Sequence, residues 1–164
     1  MESIMVSMET RSSIDPSVCG LEAHLGYWLR RVSNAVSDEF ARSLQSRRTS
    51  VAEWVLLHHL WGLTQATPGE MAEALTMTRG AISKIIDKLQ SKDWIRSRIK
   101  REDNRVHLLS LTGAGRRILP QLAEIADHND QKFFACLDAD EMTVLRHLLG
   151  KLASHHQIRE IPVE

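Results

Sequence analysis

The stretch TPGEMAEALTMTRGAISKIIDKLQSKDWIRSRIKREDNRVHLLSLT, from Thr67 to Thr112, decides the fold. Its first four residues are a helix start with three agreeing signals. Thr67 can cap free backbone N–H groups, Pro68 sits where its missing N–H costs nothing, and Glu70 can reach back to complete a capping box. This helix is brief and ends near Leu75. Thr76 and Met77 follow, and Thr78 opens a second helix that runs from Arg79 to Lys92. Ile82, Ile85, Ile86 and Leu89 fall on one face of it, at spacings of three and four. Arg79, Ser83, Lys84 and Lys88 project elsewhere. A short helix, a tight turn and a longer helix with a basic polar face form the helix-turn-helix pattern of major-groove readers. Ile95 to Ile99, a polar turn over Lys100 to Asn104, and Val106 to Leu111 then read as a two-stranded hairpin. Arg98, Lys100 and Arg101 make its tip basic, as in a wing.

Charge is distributed to match. The chain has 21 basic and 21 acidic residues, so its net charge of zero argues weakly against nucleic acid. From Thr76 to Val106, however, nine lysines and arginines stand against four acids, a net +5 that the remaining residues cancel. A positive segment on a negative body is a footprint for phosphate contact.

At 164 residues the chain fits one domain with a proper core. Hydrophobic residues are 43% and charged residues 26%, ordinary for a soluble globular protein. No apolar run approaches the ~20 residues needed to span a membrane, and no signal peptide is visible. The expectation is a cytoplasmic protein without membrane contact. Two cysteines, Cys19 and Cys136, do not make a disulfide framework.

Outside the central stretch the reading is helical. Residues 1–16 are rich in Ser, Met and Glu, lack periodicity and read as a disordered tail. A long helix is predicted from Val18 to Leu44, with Leu21, Leu25, Trp28, Leu29, Val32, Val36, Phe40 and Leu44 at helical spacing. Ser50-Val51-Ala52-Glu53 is a second capping box, opening a helix to Trp61 that stops at Gly62. After the wing, Gly113 to about Cys136 reads as a helix in which Pro120 should bend the axis or force a start nearby. Asp138 caps a final helix ending near His156, and 158–164 is a frayed tail. Leu21, Leu25, Trp28 and Val32, and in the last helix Leu145, Leu148 and Leu152, are more apolar than a small monomer needs. Such stripes seek a partner, or pack as a helical hairpin within one chain.

Asp103-Asn104-Arg105-Val106-His107-Leu108-Leu109-Ser110-Leu111-Thr112 resembles the D-x-R-x-x-x-L-x-L-T wing signature of the MarR family of winged-helix transcriptional regulators. All defined positions match, and the resemblance extends from about Leu21 to His156. It implies a mainly α fold with a small β-hairpin wing, a winged helix-turn-helix at about 50–112. Dimerisation helices at 17–46 and 113–157 would flank it within one domain spanning 17–157, and would interleave into a two-fold homodimer. It places Thr76 and Thr78 at the opening of the recognition helix, with Arg79, Gly80, Ser83, Lys84 and Lys88 facing the major groove or its phosphates. Arg105 resembles the wing arginine that enters the minor groove, and Asp103 the acid that aims it. Gly80 lowers helix stability by ~1 kcal/mol against alanine, so it either allows close approach to DNA or is merely tolerated near a helix end.

The resemblance also implies a small aromatic or phenolic inducer bound between the dimer helices and the DNA-binding lobe. Trp28 and Arg31, with Trp54 and His58, could supply aromatic walls and a cation, although Trp at such spacing is equally a core residue. Some branches of the family sense zinc. His24, His58 and His128 are the histidines that could converge, and His24 joins the ligand candidates, but adjacent pairs such as His58-His59 point to different helix faces. The cysteine of the peroxide-sensing branch corresponds to Gly26, so both thiols read as inert. No cofactor, metal or catalytic set is expected. The expectation is a sequence-specific DNA-binding repressor, released from a pseudo-palindromic double-stranded operator by a small aromatic acid or phenol. The alternative is a metal- or ligand-binding helical dimer whose winged helix mediates protein contacts.

Overall fold

A computed structural model describes residues 19–100 and 103–158, with the side chains of 100 and 103–105 left undescribed. Arg101, the N-terminal tail and residues 159–164 lie outside the described residues. Six helices and one hairpin follow in order: α1 (Leu25–Gln45), α2 (Val51–Trp61), α3 (Pro68–Ala74), α4 (Arg79–Ser91), β1 (Ile95–Lys100), β2 (Asp103–Leu111), α5 (Gly113–Phe133) and α6 (Ala139–His155). The chain divides into two compact units at Asn34 and Ala35. The mainly helical fold with a two-stranded wing is the one expected.

In the first unit the helix begins later than the predicted Val18. Leu21–Ala23 is an isolated 3-10 turn, and His24, with φ −99° and ψ 121°, is extended before α1 begins. The apolar spacing of Leu21 and Leu25 crosses this break, because periodicity records side chains and not backbone hydrogen bonds.

The second unit is organised around caps. Ser50 Oγ accepts from Glu53 N at 3.2 Å while Glu53 Oε2 accepts from Ser50 N at 2.7 Å, which fixes the start of α2. Asp138 and Glu141 do the same for α6. Leu44, Leu56, Leu57, Leu60, Met71, Leu75, Ile82, Leu89, Leu109 and Leu122 are fully buried and join α1, α2, α3, α4, β2 and α5 in one core. Ala66, just before α3, pairs with Leu109 through two backbone hydrogen bonds of 2.7 and 3.1 Å, a one-residue third strand. Glu39 on α1 bonds Arg42 at 2.7 Å and Lys132 of α5 at 3.1 Å. These two cations, Arg42 first, hold its carboxyl below the usual range, but exposed pairs of this kind add little stability.

Helix α5 runs unbroken through Pro120. Pro120 is exposed, so the carbonyl that loses its partner faces solvent. Helix α6 buries no side chain, and Val144, Leu148, Leu149 and Leu152 are exposed. No helix among the described residues is long and apolar enough to cross a membrane.

The tightest approach lies where the recognition segment meets α5. A Cβ added at Gly115 would stand 2.0 Å from the Trp94 carbonyl oxygen. Backbone atoms cannot yield as a flexible side chain does, so Gly115→Ala is expected to destabilise the fold by about 1–3 kcal/mol, or more if the joint opens. Urea denaturation measures this directly, and an unchanged midpoint would mean that the Trp94 peptide can withdraw freely.

Candidate nucleic-acid interface

Helix α3 starts as its sequence dictates. Thr67 Oγ1 accepts from Glu70 N at 3.1 Å and Glu70 Oε2 accepts from Thr67 N at 2.6 Å. That backbone hydrogen bond holds the Glu70 carboxyl below its usual range. Met71, Ala72 and Leu75 turn inward. The chain then reverses at Thr76, whose φ of 52° is left-handed, and Met77 N donates to Ala72 O at 2.9 Å to close the corner. Thr78 caps α4 by accepting from Ala81 N at 3.2 Å, which leaves its hydroxyl hydrogen free.

Helix α4 has two faces. Ile82, Ile85, Ile86 and Leu89 are buried, while Arg79, Gly80, Ser83, Lys84 and Lys88 are exposed. Thr76 and Thr78 are exposed beside the same helix start. Ser83 donates its hydroxyl hydrogen to Arg79 O at 2.9 Å, so only its acceptor pairs remain for a partner. Among the described residues no acidic side chain forms an ion pair with Arg79, Lys84 or Lys88. A Cβ at Gly80 would meet nothing within 4 Å, so no internal packing requires glycine there.

The hairpin pairs Ile95 with Leu111, Ser97 with Leu109 and Arg98 with Leu108, and its register slips after Ile99. Ile95, Leu109 and Leu111 point into the core and Arg98 is exposed, the alternation a half-buried strand requires. Arg96 Nε donates to Ser110 Oγ at 3.1 Å, and Ser97 Oγ meets His107 Nδ1 at 3.2 Å. Lys100 and Asp103 face each other across the tip, and Arg105 continues β2. Their side chains, and all of Arg101, lie outside what is described.

The candidate ligand residues belong to both units. In the first unit Arg31 lies 5.4 Å from the ring centre of Trp28, whose Nε1 donates to Glu22 O at 2.8 Å; His24 is exposed. In the second unit Trp54 stands 5.1 Å from His58 and makes an edge contact with Phe40 at 6.3 Å. Sequence reasoning missed a cavity of about 210 Å³ between α1 and α5, lined by Val36, Ser37, Phe40, Ala126, Asn129 and Asp130. Asn129 is buried there with its Oδ1 unpartnered. Convergence of residues ninety positions apart leaves no local signal. Both cysteines are exposed and free, and no three metal-ligating side chains cluster among the described residues.

Comparison with known proteins agrees with this arrangement. The MarR family model matches residues 49–107, which span α2 to the wing. An HTH-type transcriptional regulator of Bacillus cereus is 27% identical over 143 residues, covering 84% of this chain and 93% of that protein. The multiple antibiotic resistance protein MarR of Escherichia coli is 31% identical over 87 residues, 52% of this chain and 60% of that protein. The crystal structure of wild-type E. coli MarR in its apo form superposes with a TM-score of 0.72 at 25% identity, covering 79% of this chain and 96% of that one. A mutant E. coli MarR complexed with operator DNA superposes with a TM-score of 0.68 at 26% identity, covering 78% and 92%. With its capped helix-turn-helix and its hairpin, the segment 49–107 is a MarR-family winged helix-turn-helix domain, and the chain is similar along most of its length to transcriptional regulators with that fold.

Proposed function

We propose that this chain is a homodimeric, sequence-specific DNA-binding repressor acting in the cytoplasm, released from a pseudo-palindromic operator by a small aromatic acid or phenol. The observation that carries the reading is the free basic face of α4, where Arg79, Lys84 and Lys88 are exposed beside the Thr76 and Thr78 hydroxyls. Cations without ion-pair partners among the described residues are available to release counterions from phosphate. The similar E. coli protein forms a complex with operator DNA, which supports a DNA-binding use of this fold. Close approach at Gly80 fits as well, since only an external surface stands to gain from its missing side chain. Two recognition helices reach successive major grooves about 10 bp apart only if the protein is a two-fold dimer. The exposed apolar residues Leu21, Leu25, Trp28 and Val32, and separately Val144, Leu148, Leu149 and Leu152, are the surface such a dimer would cover. Trp28 with Arg31 is an aromatic–cationic pair suited to a carboxylated ring, and Trp54 offers a second aromatic face beside the His58 imidazole.

The contact with DNA is tested through its salt dependence. Lys84→Ala and Lys88→Ala should each weaken binding and flatten the slope of log affinity against log salt by about one unit per lost phosphate contact. Unchanged affinity and slope in both folded variants would defeat the assignment.

The wing makes a separate prediction. Arg105→Ala should cost about 1–3 kcal/mol of specific binding if it reads the minor groove. Asp103→Ala should weaken binding too, although it removes a negative charge. Tighter binding by that variant would mean that the acid only repels phosphate and does not aim Arg105.

For the inducer, a salicylate-like acid should lower the DNA affinity of the wild-type dimer, because a ligand shifts an equilibrium only by preferring one geometry. Trp28→Ala should blunt this release when compared at protein concentrations where light scattering shows both proteins dimeric. Release that is indifferent to the substitution removes Trp28 from the ligand site.

A further inference from the structure

Among the basic residues of the central stretch, Lys92 is placed unlike Lys84 and Lys88. It is the C-cap of α4, and its side chain is only 24% exposed. Its Nζ donates to Arg48 O at 2.7 Å, in the corner between α1 and α2, and to Glu53 Oε1 at 3.0 Å. It also lies 4.8 Å from the centre of the Trp94 ring. Glu53 is buried, and both of its oxygens are committed: Oε2 to the α2 cap and Oε1 to Lys92. An ammonium has three donors, and two of these are spent on buried or turn acceptors. What remains is a poor phosphate ligand and a good tie.

The tie joins the elements that must be aimed together. Arg48 belongs to the turn that ends α1, and Glu53 to the first turn of α2. Lys92 ends the recognition helix, and Trp94 leads into the wing. We infer that Lys92 is a positioning residue, which makes no phosphate contact and sets the recognition helix and wing against the α1–α2 corner. This inference rests on the DNA-binding reading. A recognition helix that tilts within a major groove loses base-edge hydrogen bonds, which need tight geometry, before it loses the long-range attraction of its exposed lysines.

Two labelled duplexes separate the possibilities: one enriched from a random-sequence library on the wild-type protein, and a scrambled duplex of the same composition. Affinities are measured over a range of salt, below the melting temperature of each variant. Lys92→Ala should lose roughly tenfold or more on the enriched duplex and less than about twofold on the scrambled one. Its salt slope should match that of the wild type, and Lys92→Arg, which restores the charge but not the compact ammonium, should not rescue it. Lys92→Ala leaves Glu53 buried and unpaired and so destabilises the fold. The double variant Lys92→Met with Glu53→Gln removes both charges, keeps an unbranched side chain beside Trp94 and an acceptor for the α2 cap, and should show the same selective loss.

Four results overturn the inference. A slope flatter by about one unit, with rescue by arginine, makes Lys92 a phosphate contact. Equal losses on both duplexes deny it a role in aiming. Unchanged affinity for the enriched duplex with a lowered melting temperature makes its role purely structural. A wild-type protein that enriches no duplex overturns the DNA-binding reading itself, and this inference with it.

Discussion

The arrangement depends on the contact between the Trp94 peptide and the first turn of α5. Trp94 N donates to Leu89 O at 3.0 Å, which closes the end of α4, while its carbonyl accepts from Thr112 N, also at 3.0 Å. Thr112 Oγ1 donates to Asp93 O at 2.5 Å and accepts from Gly115 N at 3.0 Å, so one hydroxyl caps α5 and grips the preceding corner. Gly115 leaves the space in which these backbones meet. The end of the recognition helix, both feet of the wing and the start of α5 are thus fixed at one point. No long linker separates these elements in sequence. Coupling between a distant site and DNA would need an element with two arrangements that both sites bias.

Charge bookkeeping along a sequence overstates what a surface offers. The central stretch carries nine basic residues, but the chain uses them in different ways. Lys92 faces a buried carboxylate and a carbonyl, and Arg96 is hydrogen-bonded to Ser110 across the hairpin. Lys84 and Lys88 stand on the exposed face of α4 and Arg98 on the exposed face of β1. Lys92 is offset at short range by the Glu53 carboxylate, whereas Arg96, bound to a neutral hydroxyl, keeps its charge but is held across the hairpin.

The caps were the most legible part of the fold. Ser50–Glu53, Thr67–Glu70 and Asp138–Glu141 are capping boxes in the sequence and in the structure, because each is a local interaction spanning three residues. The buried face of α4 was equally legible, since a helix displays its periodicity without reference to anything else. The start of α1 was not. Its apolar spacing continued through a 3-10 turn and an extended His24, and His24, which precedes Leu25, is not one of the residue types that usually cap a helix. Ala66 was invisible as a strand because one residue has no period. For the candidate site, the exposed face of α4 could be read from sequence, whereas the Lys92–Glu53 tie joins residues 39 positions apart and required the fold. Pro120 forces no new helix start: its ring removes one helical bond, but it lies on the solvent side of α5, where water can satisfy the freed carbonyl.

Among the described residues, four helix ends turn through left-handed residues that are not glycine: Arg48 at φ 52°, Thr76 at 52°, Asp93 at 55° and Gln157 at 54°. Such a conformation costs an L-residue about 1–2 kcal/mol, which glycine would avoid. At two of these corners the backbone is in use. Arg48 turns its carbonyl to Lys92, and Asp93 turns its carbonyl to Thr112. Strained conformations persist where the surroundings over-determine them, and here each strained peptide is an acceptor for the joint it forms. Thr76 differs. It is β-branched, where the left-handed region is least tolerated, and its side chain is exposed rather than packed. The core beneath it is closed by Leu75 and by the Met77–Ala72 hydrogen bond, neither of which needs a threonine side chain. The chain therefore carries strain at the helix-turn-helix corner that its own packing does not repay, and what that corner retains is a hydroxyl beside the start of the recognition helix.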